Sequence, residues 1–372
     1  MGRLAPTTRG DAMRPLEFGW YLPTNGDTTC YGDGTAVVPP RTAMFDRVVA
    51  AAEAAGFEYL LVPVAVPCWE AWITTAFMAA RSRSIRMLVA ARPGYINPVM
   101  LAKMVTTFDQ LTGGRIAVNL IAGQSEAENA ADGIRHTKDQ RYALMAEEVG
   151  ILKALWTATG PLDHDGAFHK LRGAVVMPKP FQTPHPRFYL GGGSPEAWAI
   201  SAAHADVHLF WGDTPESIAT QIGAIRDLAA RQGRAGALGF GMRLQIICRE
   251  TERQAWDAAD ELLRGVTEAR SAAVRVNVAG SVANQRVQAL ARDHGPLIAP
   301  NLWTGLTRAR QGAGIAVVGD PGQCAAALQG FIDVGCHSFC LSGYLHDEEA
   351  TRFARWVRPI LAARNAGRMP AA

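Results

Sequence analysis

The chain runs to 372 residues, 48% hydrophobic and 19% charged, with a formal net charge of +3. That length can bury a large core, and Lys and Arg that are scattered rather than clustered exclude the basic footprint of a nucleic-acid surface. No apolar run reaches the roughly 18 residues of a membrane span, and the N-terminal stretch MGRLAPTTRGDAMRP lacks the apolar h-region of a secretory signal. Residues 1–14 are expected as a disordered extension, and 15–365 as one domain. The cysteines at 30, 68, 248, 324, 336 and 340 form no CxxC pair and accompany no His cluster at zinc spacing. They read as free thiols in a reducing cytoplasm.

One rhythm repeats along the chain: a short apolar run, a polar junction, then an Ala-rich amphipathic stretch. LEFGWYLP (16–23) reads as the first strand. MFDRVVAAAEAAGF (44–57), apolar at 44, 45, 48, 49 and 52, is a helix stopped by Gly56. YLLVPVA (59–65), IRMLVAAR (85–92) and RIAVNLIAG (115–123) are the next three strands, with helices over 70–83, 97–114 and 141–156. Pro98 opens the second of these helices and Gly113-Gly114 closes it. The rhythm breaks over 157–186, where prolines recur without a helical period, and a loop with a small hairpin is expected. RFYLGGG (187–193), VHLFWG (207–212) and LGFGMRLQIICRE (238–250) are the fifth, sixth and seventh strands, each followed by a helix. Residues 267–313 form a second insertion. A helix over 320–335, the eighth strand HSFCLSGY (337–344) and a last helix over 348–364 complete the chain.

Eight near-continuous apolar strands, each with its helix, imply a parallel sheet covered on both faces. Eight such units in this length favour a closed (β/α)8 TIM barrel with insertions over an open sheet. Long insertions in such a fold tend to be lids or binding loops.

In a barrel of this kind the site lies at the C-terminal strand ends. Asn25 and Asp27 follow the first strand, Cys68 and Glu70 the second, Arg92 the third, and Gln124 with Ser125 the fourth. Gly192, Gly193 and Ser194 follow the fifth, Trp211 ends the sixth, and Tyr344 and His346 follow the eighth. Asp27 is equally an Asx-turn residue, Cys68 a buried small hydrophobe, Arg92 a loop tie and Trp211 a core residue. Arg243 and Gln245 share one face of the seventh strand. A charge flanked by Gly, Met, Leu and Ile is costly without a partner or an anionic ligand. GGGSPEAW (191–198) is a strand, a glycine turn and a helix start, with Ser194 as N-cap and Pro195 in the first turn. Backbone N–H groups and the helix dipole there favour a phosphate. GxGxxG, GKS/T, GxSxG and HExxH are all absent. A phosphorylated aromatic cofactor suits this pattern better than glycoside hydrolysis, which needs two acids.

The segments WYLPTNGD, RPGYINPVMLAKMVTTFDQLTGGRIAVNLIAG, RYALMAEE, PKPFQTPHPRFYLGGGS, WGDTPE, PNLWTG, GAGIAVVGD and LSGYLHDEEA, in this order, resemble the bacterial-luciferase-like flavin-dependent monooxygenases, nearest the alkanesulfonate monooxygenase subgroup. The resemblance runs from about residue 17 to 360. It implies a (β/α)8 barrel that takes reduced FMN from a separate NAD(P)H-dependent flavin reductase and uses O2 to oxidise a small organic substrate. In the subgroup the substrate is an alkanesulfonate, cleaved at its C–S bond to aldehyde and sulfite. Homodimers or homotetramers are implied as well. Carried over by motif, Tyr142 and Ser194 would hold the FMN phosphate, Cys68 would lie near the flavin and Trp211 would line the site. Arg243 would hold an anion, Arg310 would come from a lid, and Tyr344 and His346 would sit at the last strand's end. Asn25, Gln124, Gly192 and Gly193 complete the cofactor site.

Asn25 and Gln245 stand where that subgroup has histidines, and Gly193 where it has a second serine. Asn and Gln keep hydrogen bonding but do not titrate near neutrality. The substrate is therefore open between a sulfonate, another organosulfur compound, a halogenated aromatic and a heterocycle. A deazaflavin-dependent dehydrogenase and a non-catalytic flavin-binding protein are the alternative readings.

Overall fold

Residues 14–123, 125–278 and 280–369 are described by the computed structural model. The expected extension over residues 1–13, and Gln124, lie outside the described residues. The strands are β1 (Glu17–Tyr21), β2 (Tyr59–Val62), β3 (Arg86–Ala91), β4 (Ile116–Leu120), β5 (Phe188–Gly191), β6 (Val207–Trp211), β7 (Gly239–Cys248), β8 (Ala316–Gly319) and β9 (Ser338–Ser342). All except β8 pair in parallel around a ring in the order β1-β2-β3-β4-β5-β6-β7-β9, and β9 returns to β1. Their almost unbroken burial explains why they read as apolar runs rather than alternating ones.

The barrel has two cores. Leu61, Leu88, Ala117, Tyr189, Leu209 and Cys340 fill its interior. A larger cluster packs the outer strand faces against the helices. Gly19 of β1 makes room for an interior ring: a Cβ there would lie 2.0 Å from the Tyr59 side chain. The helices are α1 (Thr42–Ala54), α2 (Ala71–Ala79), α3 (Pro98–Thr112), α4 (Glu126–Ala131), α5 (Lys138–Thr157), α6 (Pro195–His204) and α7 (Pro215–Arg231). They continue with α8 (Glu252–Leu263), α9 (Glu268–Val278), α10 (Val282–His294), α11 (Pro321–Asp333), α12 (His346–Arg352) and α13 (Arg358–Arg364).

Residues 157–186 carry an antiparallel hairpin, Leu162–Asp165 with Lys170–Ala174. Residues 267–313 hold α9, α10, two short strands and the 3-10 turn Gly305–Arg308. β8 is the strand that the sequence reading leaves out. IAVVG is apolar and short, at the end of a long insertion, and the sequence reading counts only the helix over 320–335, α11, that directly follows it. It pairs in parallel with the second half of β7, Gln245 to Ala316 through Cys248 to Gly319. On its other side it takes the antiparallel strand Leu302–Trp303 from the second insertion.

The N-terminal strand ends meet on a buried carboxylate. Glu17 accepts from Arg187 at 2.6 Å, from Ser338 at 3.0 Å and from Arg86 at 3.4 Å, and also from the Tyr189 hydroxyl. Burial alone would push its pKa up. Arg187, Arg86 and the Tyr189 hydrogen bond outweigh that and hold it at about 2, against an ordinary 4.5. Because the folded value lies below the unfolded one, this contribution to stability is present above about pH 4.5 and is lost as pH falls toward 2. Glu17→Ala leaves the half-buried Arg187 and the buried Tyr189 and Ser338 hydroxyls without their acceptor. It is expected to lower the unfolding free energy by about 3–5 kcal/mol in urea titrations. It should also flatten the stability profile across that acid window, and a wild-type-like profile would show that the carboxylate does not tie the strand ends.

Candidate active site

The C-terminal strand ends open into a cavity of about 1080 Å³. That is at or above the top of the roughly 300–1,000 Å³ range for single-ligand sites, so it has room for two ligands. Arg243, Arg310, Tyr344, His346, Cys68, Asn25, Trp211, Tyr142, Gly192, Gly193 and Ser194, the described residues assigned from sequence to catalysis or the cofactor, all line it, whereas Glu70 does not and instead caps α2.

One end is built from two helix starts. After β5 the chain turns through Gly192, where a Cβ would lie 2.6 Å from that of Ala197. Ser194 then caps α6, its Oγ accepting from Ala197 N at 3.3 Å, and Pro195 fills the first turn. Tyr142 comes from the first turns of α5 and hydrogen-bonds Ser194; burial raises its pKa and that bond lowers it. Lys138 lies one helical turn before Tyr142, lines the same cavity and has no ion-pair partner among the described residues. The α6 start with its backbone N–H groups, two hydroxyls and Lys138 thus line this end of the cavity, a combination suited to an anion, with Glu126 and Glu196 within range of the Lys138 charge. Sequence reading misses Lys138. Its signal is the four-residue offset from Tyr142.

The middle is braced by arginines that do have partners. Arg92 donates to Glu128 at 2.8 Å, Tyr95 at 3.0 Å and Val64 O at 3.4 Å, so it ties α4 to the strand ends as a structural residue. Arg141 holds Glu126 at 3.0 Å and the Ala122 carbonyl at 2.9 Å. Burial pushes the Cys68 thiol up, which keeps it neutral around pH 7. Trp211 pairs in register with Arg243.

At the other end, Arg243 lies 4.8 Å above the Tyr21 ring and donates to Leu244 O at 2.9 Å and Cys340 O at 3.4 Å. Arg310 donates to Ala313 O at 2.7 Å and stands close to Tyr31, Tyr344 and Tyr21. Tyr31 donates to the Tyr344 hydroxyl at 2.6 Å. Asp27 answers for the polar turn after β1: its Oδ2 accepts from both the backbone N and Nδ1 of His346 at 2.8 Å. Asp27 thereby fixes the imidazole, and its Oδ1 also accepts from Thr28 N at 2.9 Å, one residue on rather than the two of an Asx turn. Gln245 does not line the cavity. It is buried behind it, accepting from Ser342 Oγ at 2.6 Å and donating to the Ala313 carbonyl at 3.2 Å, so it supports the group that anchors Arg310.

The charge balance is uneven. The lining carboxylates Asp27, Asp33 and Glu128 are engaged by His346, Thr35 and Arg92. Lys138 and the guanidiniums of Arg243, Arg270 and Arg310 have no carboxylate partner among the described residues. Among the described residues, no group of three or more His, Cys, Asp or Glu is placed to hold a metal ion.

The model of the family described as luciferase-like monooxygenase matches residues 16–338. Solved structures share the fold at low identity. A riboflavin lyase, RcaE, with modified FMN and riboflavin, aligns at 17% identity over 96% of this chain and 93% of its own, with a TM-score of 0.79. The EDTA monooxygenase EmoA from Chelativorans sp. BNC1 aligns at 18% over 94% of each chain, TM-score 0.76. An F420-dependent secondary alcohol dehydrogenase aligns at 15% over 93% of this chain and 99% of its own, TM-score 0.67.

The double helix start is testable with a simple anion. Inorganic phosphate at about ten times its dissociation constant is expected to add about 1.4 kcal/mol to the unfolding free energy at matched ionic strength. Lys138→Ala combined with Ser194→Ala should remove most of that gain, whereas an unchanged gain would place the anion elsewhere.

Proposed function

This chain belongs to the luciferase-like monooxygenase family, and we propose that it takes reduced FMN from a separate NAD(P)H-dependent flavin reductase and uses O2 to oxidise a small anionic organic substrate. The observation that carries this reading is the cavity itself: an anion seat at two helix starts, unneutralised guanidiniums opposite, and room for two ligands between. The residues fit the cofactor. A glycine turn that leaves space for phosphate, with Tyr142, Ser194 and Lys138 around it, would take the phosphate, and the aromatic walls of Tyr21 and Trp211 would flank a flat ring. The riboflavin lyase of this fold was solved with a modified FMN, which supports the same assignment.

Bound there, reduced flavin supplies the electrons that activate dioxygen. The protein's part is to bind, orient and exclude water. Arg243 and Arg310 grip the substrate's anionic group through charge-assisted hydrogen bonds. The Tyr31–Tyr344 hydroxyl pair supplies or relays a proton beside them, with burial keeping Tyr31 protonated far above neutral pH. Asp27 holds His346 with Nδ1 occupied, so Nε2 is the nitrogen available to a ligand. The 267–313 segment closes over the site. Asn25 and Gln245 add no charge, so an alkanesulfonate is one member of the substrate class and other anionic organosulfur compounds are equally served.

Two further features extend the reading. Six free cysteines suit a reducing cytoplasm. Ile73 and Phe77 of α2, with Trp69 just before its N-cap, leave an exposed apolar patch that supports a homo-oligomer.

Anaerobic titration with reduced FMN and reduced riboflavin tests the cofactor. FMN should bind at least about tenfold more tightly, and Tyr142→Phe with Ser194→Ala should erase that preference. Arg243→Ala is expected to cut turnover by about 10²–10³-fold while unfolding stays cooperative, and 18O from O2 should appear in product. Binding of an oxidised deazaflavin in place of FMN, with substrate oxidised by hydride transfer to it and no need for oxygen, would instead favour the dehydrogenase chemistry that the F420-dependent structure of this fold carries out.

A further inference from the structure

The inner guanidiniums, Arg243 and Arg310, account for one anionic group. A third, Arg270, lies beyond them on the first turn of α9 and remains unexplained by the packing. Its guanidinium stacks over the Tyr31 ring at 5.3 Å from the centroid, and its Nε donates to the Ala309 carbonyl at 3.3 Å. Its terminal nitrogens have no protein partner among the described residues; it lines the cavity at its mouth and is exposed to solvent. The nearest acids are already engaged: Glu268 holds Arg275 at the surface, and Asp33 accepts from Thr35 N at 2.8 Å.

The platform under Arg270 is held from several sides. Tyr31 N donates to Leu262 O at 2.8 Å, and its hydroxyl donates to Tyr344. The Cys30 thiol donates to Arg264 O at 3.1 Å, which ties the loop after β1 to the chain entering α9. Ala309, the acceptor for Arg270, directly precedes Arg310. Arg270, Tyr31, Arg310, Tyr344 and Arg243 therefore form a continuous arc of guanidiniums and phenols. A cation stacked on an aromatic ring, with its fork of donors unused and turned to a cavity, is placed to take a carboxylate, sulfonate or phosphate.

We propose that Arg270 is a specificity-determining residue forming an outer anion subsite, so that the substrate carries two anionic groups, one held by Arg243 and Arg310 and the other by Arg270 over Tyr31. This rests on the monooxygenase reading for the reaction but not for the binding. Cations at both ends of the substrate, a pair at one and Arg270 at the other, also fix its direction in the cavity, which one anionic group gripped from one side cannot do.

Calorimetric titration of the full chain tests it, with and without reduced FMN under anaerobic conditions. The probes are sulfoacetate against ethanesulfonate, and malonate against propionate. The expected result is that the doubly charged member of at least one pair binds at least about tenfold more tightly. Arg270→Ala should reduce that preference to less than about twofold while leaving the singly charged probe's affinity within about twofold. Arg270→Lys should keep part of the preference, since charge persists without the fork. Equal affinities within both pairs, no binding of any probe, or a preference that survives Arg270→Ala would each overturn the proposal. Failure of reduced FMN to bind in the same titrations would overturn the cofactor reading and leave the anion preference to be judged on the flavin-free arm.

Discussion

Strand β7 is shared among three neighbours, and the site depends on that sharing. Its residues 239–243 pair with β6 and close the barrel, 241–245 pair with β9, and 245–248 pair with β8. A strand of ordinary length could close the ring or carry the extra strand, but not both. The fork falls at Arg243 and Gln245. Before it, the interior face points Arg243 into the cavity. At it, Gln245 is drawn behind the wall, where it bridges Ser342 and the Ala313 carbonyl. The 267–313 segment, anchored through Leu302–Trp303 on β8, is thereby fixed above the cavity and brings Arg270 and Arg310 over it.

Electrostatics then divide the cavity. Where an arginine serves architecture, as Arg92 and Arg141 do, a carboxylate stands beside it. Where arginines face the open volume, backbone carbonyls and aromatic faces are their partners instead. Carbonyls and rings stabilise a guanidinium without neutralising it. That leaves the attraction for a ligand anion intact, and burial of the surroundings strengthens it. The opposite end works by oriented backbone and a single ammonium, which suits a phosphate that must be held without chemistry. Asp27 and His346 stand apart from both: the carboxylate is spent on orientation, and the cavity keeps a positioned imidazole rather than a second acid.

The repeat of apolar strand and Ala-rich helix was legible because parallel barrel strands are buried on both faces, which removes alternation from their sequence. The ring of candidate residues was legible for a related reason. Barrel topology puts the residue after each strand on one face, so Ser194, Trp211, Tyr344 and His346 could be read off strand ends in turn. Arg243 stood out as a charge inside an apolar run. β8 was not legible, because a four-residue apolar strand at the end of a long insertion looks like any buried linker, even with α11 directly after it. Arg270 and Tyr31 carried no local signal at all: one sits in an ordinary helical turn and the other in a loop, and their meeting depends on an insertion folding back across more than two hundred residues.

The sequence by itself determined the periodicity, hence the barrel, and the chemical inventory at its mouth, because strand and helix patterns are local and each βα junction exposes its own residue. Only the tertiary structure decided which charges are neutralised. A carboxylate's partner is chosen by distance in space, so nothing in the order of residues could tell that Arg92 is a tie and Arg243 is not, that Gln245 faces away from the cavity its neighbour faces into, or that Asp27 holds His346.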